Sequence, residues 1–191
     1  YNSTEAKKHA KNITEKTQHL SQTIDDFRNF FKTDRNIEKS NIKTVLDKTF
    51  SVVKDSLKEN GIEIQVSYDS QKEIDVYPRE LMQVFLNIII NAKDILTANK
   101  LDNPLICIRV YEDEKYVNTE ICDNAGGITN EILPKIFDAY FTTKNERNGT
   151  GLGLYMSKMI VEHHHNGMVE VYNKDNGACF TVKLLKKQIE T

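Results

Sequence analysis

The sequence lacks a charge imbalance, a long apolar run and any CxxC pair. Lys and Arg number 26 against 28 Asp and Glu, a formal net charge of -2. A balance that close creates no field that would draw nucleic acid, and no nucleic-acid partner is expected. The longest apolar run, around Phe85 to Ile90, stops at Asn91. That is far short of the roughly 20 residues a membrane span needs, so no membrane contact is expected of this stretch. The three cysteines are Cys107, Cys122 and Cys179. Their odd number and spacing argue against a cysteine metal site, and Cys107 and Cys122 fall in apolar, strand-like runs. They read as buried thiols suited to a reducing, cytoplasmic compartment. Tyr1 is not Met, and no charged-then-apolar leader follows it. The chain therefore reads as an interior fragment, whether or not the full-length protein is membrane-anchored.

What is present divides into two unlike parts. The 191 residues allow one α/β domain with an extra element, or two small domains. From Tyr1 to Phe31 there is neither Gly nor Pro, and Ala6, Ala10, Ile13, Thr17, Leu20, Ile24, Phe27 and Phe31 recur at spacings of four and three. That seam is about four heptads long and predicts a helix that needs a helical partner. Lys32 to Asn41 is polar and reads as a linker. Val45 to Leu57 has helical periodicity with a stop at Asn60-Gly61, and Ile62, Ile64, Val66 and Tyr68 alternate as a strand. Pro78 opens a predicted helix to about Asn99. Leu105 to Tyr111 and Tyr116 to Cys122 read as a strand pair. Helices are expected near Asn130 to Phe137 and Leu152 to His165. Strands Met168 to Asn173 and Cys179 to Leu185 follow, across a turn at Asp175-Asn176-Gly177. Several strand links are short, which predicts an α+β architecture: a mixed sheet with helices on one face.

Three segments carry candidate chemistry. On the helix from Pro78, Asn87, Asn91 and Asp94 stand at i, i+4 and i+7 and share a face. An amide oxygen there suits a hard cation such as Mg2+, and an Asn pair capping a neighbouring loop is the other reading. Asp123-Asn124-Ala125-Gly126-Gly127-Ile128 follows a strand. Its carboxylate could accept from an exocyclic amine such as adenine's, or close an Asx turn. Gly149-Thr150-Gly151-Leu152-Gly153-Leu154 opens a helix. It suits phosphates approaching backbone N–H groups, or a lid with a glycine hinge. The Gly-Lys-Ser/Thr of a P-loop is absent.

Taken in order, these segments resemble the N, G1 and G2 boxes of the GHKL ATPase superfamily. Ile136-Phe137-Asp138-Ala139-Tyr140-Phe141-Thr142-Thr143-Lys144 resembles the F box of histidine kinases. The resemblance covers about Asn41 to Leu185 and implies a Bergerat-type α/β sandwich, preceded here by a long helix. It implies ATP and Mg2+ as ligands, with Asn91 as the metal ligand and Asn87 as its nucleotide-contacting neighbour. It also implies Asp123 on the adenine amine, with Gly127, Ile128 and Phe137 around the base. Thr142, Thr143 and Lys144 would begin the ATP lid, with Lys144 on phosphate. Gly149, Thr150, Gly151, Leu152, Gly153 and Leu154 would form its hinge and phosphate cradle. Two positions depart from the pattern. Ala125 replaces a frequent Gly, which a negative φ would tolerate, and Asp94 replaces a frequent basic residue.

Hydrolytic members of the superfamily carry Glu four residues before the Mg2+ Asn. Here that position is Asn87, which is no general base near neutral pH. The resemblance therefore points to a histidine kinase. Residues 1–35 would be the second helix of a dimerisation and phosphotransfer bundle, and 41–187 the catalytic domain. A homodimer through the N-terminal helix and a response regulator receiver domain are the expected partners. Asn87, Asn91 and Lys144 are the expected catalytic residues. A GHKL-type ATPase and a degenerate nucleotide-binding switch or scaffold are the alternatives. His9 and His19 lack the acidic and Pro neighbours of the family's acceptor and read as exposed helix residues, so the acceptor is expected upstream of Tyr1. His163, His164 and His165 diverge by about 100° each on a helix and cannot share an ion.

Overall fold

The computed structural model describes residues 36–144 and 149–187. The predicted seam from Ala6 to Phe31, with His9 and His19, lies outside the described residues. The first element is a short strand, β1 (Glu38–Ser40), within the stretch expected to be a linker. It pairs antiparallel with β3 (Ile74–Val76), which brings the chain entering the domain against its core. Ile74 and Val76 are buried. Both strands have three residues, too few for an alternation to register as a strand in the sequence.

Helix α1 (Ile42–Glu59) starts where Asn41 accepts from Thr44 N at 2.9 Å, a side-chain N-cap. Its apolar stripe of Ile42, Val45, Leu46, Val53 and Leu57 is buried, and it ends at the expected Asn60-Gly61. Helix α2 (Pro78–Asn99) has Pro at its first position. There the missing N–H costs no helical bond. By length and composition α2 could cross a membrane. It is instead a core helix: Leu81, Val84, Phe85, Ile88, Ile89, Ala92 and Leu96 face the interior.

Five strands form the main sheet in the order β2-β4-β5-β7-β6. They are β2 (Glu63–Tyr68), β4 (Leu105–Glu112), β5 (Tyr116–Asp123), β6 (Met168–Lys174) and β7 (Gly177–Leu185). The β2–β4 pair is parallel and the others antiparallel. Ile106, Ile108, Val110, Val117, Ile121, Phe180, Val182 and Leu184 line the inner face against the helices. The mixed sheet with helices on one face is therefore as the sequence implies.

Two expectations change. The helix expected near Asn130 to Phe137 is only a 3-10 turn, Leu133–Lys135. Pro134 within it has no amide to donate and disfavours helical backbone at Leu133. The last hairpin turns on Asp175 and Asn176, with φ of 47° and 65°, and Gly177 already belongs to β7. A two-residue turn with both central φ positive matches strand twist. The final helix, α3 (Gly153–Met159), runs on into a π-helical turn, Ile160–His164.

Candidate ATP site

The candidate residues come from four places: one face of α2, the end of β5, the stretch after the 3-10 turn, and the start of α3. On α2, Asn91 Oδ1 and Asp94 Oδ2 converge on a single cation, the Lys144 ammonium, at 2.9 and 2.7 Å. Lys93 also lies 3.7 Å from Asp94 Oδ1. A neutral and a charged oxygen presented to one positive group form a hard-donor set that fits an oxygen-seeking divalent cation. Asp94, which departs from the usual basic residue, thus pairs with the lid's Lys144.

Asn87, one turn earlier, uses its amide differently. Nδ2 donates to Gly153 O and to Ser157 Oγ, both at 3.1 Å. Ser157 Oγ in turn donates to Gly153 O at 2.9 Å. Asn87 therefore ties α2 to the first turn of α3. Its carboxamide oxygen stays beside Gly153.

Asp123 ends β5. Its Oδ1 accepts from Ala125 N at 2.9 Å, an Asx-type turn, and from Ala178 N at 3.3 Å. Its other oxygen has no hydrogen-bond partner among the described residues. Burial pushes the carboxyl pKa up, and the two N–H donors only partly offset this. Ala125 has no positive φ and is buried, so the replacement of Gly is accommodated. Gly177 fixes how closely the strands approach: a Cβ there would lie 1.6 Å from the Asp123 carbonyl oxygen. Gly126 N donates to Asn176 O at 2.8 Å, and Asn173 clamps the same loop. Asn173 Oδ1 accepts from Ile128 N at 2.8 Å, and its Nδ2 donates to Ile128 O at 2.7 Å. Gly127 packs directly against this amide. Asn173 and Gly177 were not singled out in the sequence. The only signal for them was their place in the predicted hairpin, and its partner loop lies about 45 residues earlier.

The residues expected to bound a lid pack on each other. Thr142 Oγ1 accepts from Lys144 N at 3.1 Å, and Gly149 sits against both residues. Thr143 is exposed. Gly151, at φ 66°, accepts through its carbonyl from Tyr140 N at 3.0 Å. A Cβ on Gly151 would come within 2.4 Å of the Tyr140 carbonyl carbon, so only glycine fits. Tyr140 itself has φ 66° and is 75% exposed. Thr150 Oγ1 accepts from Leu152 N at 3.2 Å, turning the chain into α3. Leu152 is buried and Leu154 packs on the core. Phe137 stacks edge-on against Phe180 at 6.4 Å, with the Lys158 ammonium 5.5 Å from its ring centre.

The three histidines diverge as expected. His163 is exposed and His164 Nδ1 lies 2.9 Å from Glu80 Oε2. His165 is buried beneath the start of α2, its Nε2 accepting from Tyr77 N at 3.1 Å and its Nδ1 3.2 Å from Ile160 O. The cysteines differ from expectation. Cys107 is only partly buried, and Cys122 is not a free thiol but is bonded to Cys179. The two face each other across β5 and β7 although 57 residues apart in sequence, a register that local alternation does not encode.

The chain is similar to known proteins in sequence and in fold. Residues 76–188, more than half the chain, match the family described as histidine kinase-, DNA gyrase B-, and HSP90-like ATPase. The two-component sensor PprA of Pseudomonas aeruginosa is 33% identical over 138 residues, 68% of this chain and 14% of that protein. The sensor histidine kinase ZraS of Escherichia coli K12 is 30% identical over 185 residues, 94% of this chain and 38% of that protein. The chain thus spans well under half the length of these curated relatives. Among solved structures, the catalytic domain of histidine kinase ThkA superposes with a TM-score of 0.71 at 23% identity, covering 80% of this chain and 99% of that one. ThkA in complex with the response regulator protein TrrA superposes with 0.74 at 20% identity, covering 97% of this chain and 53% of that one. The chain belongs to the histidine kinase-, DNA gyrase B- and HSP90-like ATPase family, as an ATP-binding domain of the sensor histidine kinase type.

Proposed function

We propose that residues 41–187 bind Mg-ATP and pass its γ-phosphoryl group to the Nε2 of a histidine on a dimerisation helix, for relay to an Asp of a response regulator. The observation that carries this reading is the convergence of Asn91 and Asp94 on the Lys144 ammonium, which puts a cation between α2 and the lid. Asn91 would hold Mg2+, which supplies charge neutralisation on the phosphates. Lys144 would exchange its contacts on α2 for a phosphate oxygen. The free oxygen of Asp123 would accept from the adenine amine, with Gly127 and Ile128 held against the base by Asn173. Residues 149–154 would position the phosphates at the start of α3.

Phosphotransfer is favoured over hydrolysis by Asn87. Its amide nitrogen is spent on Gly153 and Ser157, and a carboxamide cannot deprotonate water. The chain then contributes positioning, and the nucleophile comes from a docked helix. In this reading residues 1–35 belong to that helical bundle and give a homodimer, with the catalytic domain on the cytoplasmic side.

The test uses γ-labelled ATP and a longer chain that adds the sequence upstream of Tyr1. Acid-labile phosphoprotein is expected. Release of free phosphate without phosphoprotein would instead assign the site to hydrolysis, and nucleotide binding without either product would assign it to a switch.

A further inference from the structure

All three cysteines stand in one row across neighbouring strands. Cys107 on β4 is directly opposite Cys122 on β5, and Cys122 is directly opposite Cys179 on β7. Their chain neighbours Ile106, Ile108, Ile121 and Phe180 are buried on the helix-covered face, so the row lies on the opposite face of the sheet. Cys122 and Cys179 are joined in a disulfide, and Cys107 is a free, partly exposed thiol. Directly opposed antiparallel residues hold their Cα atoms about 4.5–5.5 Å apart. Disulfides bridge Cα atoms about 4.4–6.8 Å apart. Cys122 therefore has a cysteine directly opposite it on each side, and one of those two is a free thiol. None of the three takes part in the proposed nucleotide chemistry.

We propose that Cys122 is the exchange centre of a thiol–disulfide site, with Cys107 as its resident nucleophile and small thiols and dithiols as its external substrates. In the internal step the Cys107 thiolate attacks Sγ of Cys122. The Cys107–Cys122 bond forms as the Cys122–Cys179 bond breaks. The bonding pair leaves on Cys179, which takes up from solvent the proton that Cys107 gave up. One disulfide replaces another, and no oxidant or reductant is consumed. In the external step a dithiol supplies two electrons and two protons and becomes its own disulfide, leaving Cys122 and Cys179 as thiols.

The surroundings support attack at Cys122 over Cys179. Cys179 is fully buried and Cys122 is partly exposed. Access decides which sulfur is attacked. Glu120 Oε1 lies 3.6 Å from Cys122 Sγ, with the Lys174 ammonium 3.7 Å from the same oxygen to offset its charge, and Gln65 Oε1 lies 4.0 Å from Cys107 Sγ. The bond is also set beside the Asp123–Ala178 contact, since Cys122 precedes Asp123 and Cys179 follows Ala178.

Disulfide mapping of the folded chain tests this. The chain is treated with oxidised glutathione at about pH 8.5, where thiolates are populated. It is then acid-quenched, and free thiols are alkylated for peptide mass spectrometry. Two pairings are expected: Cys122–Cys179 with Cys107 alkylated, and Cys107–Cys122 with Cys179 alkylated. Cys107→Ser should lose the second pairing, and Cys179→Ser should form Cys107–Cys122 under the same oxidant. Because serine at buried position 179 could prevent folding, the unsubstituted chain is decisive. Alkylation confined to Cys107 after hours of treatment, or three free thiols, would overturn the proposal.

Discussion

Asp123 carries the sharpest conflict between folding and ligand binding. Its pKa is raised by burial from the ordinary 3.8. A raised carboxyl contributes fully to stability below that ordinary value and loses the contribution as pH rises through the folded value. At neutral pH the ionised side chain therefore costs stability. Asp123→Asn keeps an acceptor for Ala125 and Ala178, so its Tm at neutral pH should match or exceed the parent's. Its ATP affinity should fall about 10- to 100-fold, the worth of a charge-assisted bond. Calorimetric titration and thermal melting check the two halves separately. His165 has the opposite sign. Burial lowers its pKa from 6.5, so its contribution is present above that value and is lost as pH falls through the folded value. Melting curves should show a Tm that drops below about pH 6.5, and His165→Gln should flatten the drop. The convergence on Lys144 was half legible in the sequence. The i, i+4, i+7 spacing put Asn87, Asn91 and Asp94 on one face, but not the lid lysine against them. Asn173 was legible only as part of a hairpin, because its contact with the Ile128 loop is set by hairpin register.

Among elements, the β6–β7 hairpin positions the site as much as α2 does. Asn173 makes two hydrogen bonds to Ile128, and Gly177 lets β7 close on the end of β5. Asn173→Ala should cost about 0.5–1.5 kcal/mol for each hydrogen bond lost, because the site is open to water. Gly177→Ala should force the strands apart and cost about 1–3 kcal/mol or more. Urea unfolding measures both, and an unchanged midpoint for Gly177→Ala would show that the close approach to Asp123 is not real. The long elements were legible because their periodicity extends over enough residues: α1, α2 and all five strands of the main sheet. The short ones were not. β1 and β3 are held by pairing with each other, and the run from Asn130 was broken by Pro134, which outweighed its helical pattern.

For the whole molecule, the family and the sheet-and-helix architecture follow from the order of four motifs, each ambiguous alone. Their order also predicts that the sites at the end of β5, on α2 and at the start of α3 act as one nucleotide pocket. In the proposed function, Asn91 holds the metal that ATP needs. Calorimetric titration of ATP into the chain and into Asn91→Ala, each with and without Mg2+, tests it most directly. Tighter binding with Mg2+ is expected for the parent chain and loss of Mg-ATP binding in the variant; the same Mg2+-dependent affinity in both would show that Asn91 does not hold the ion.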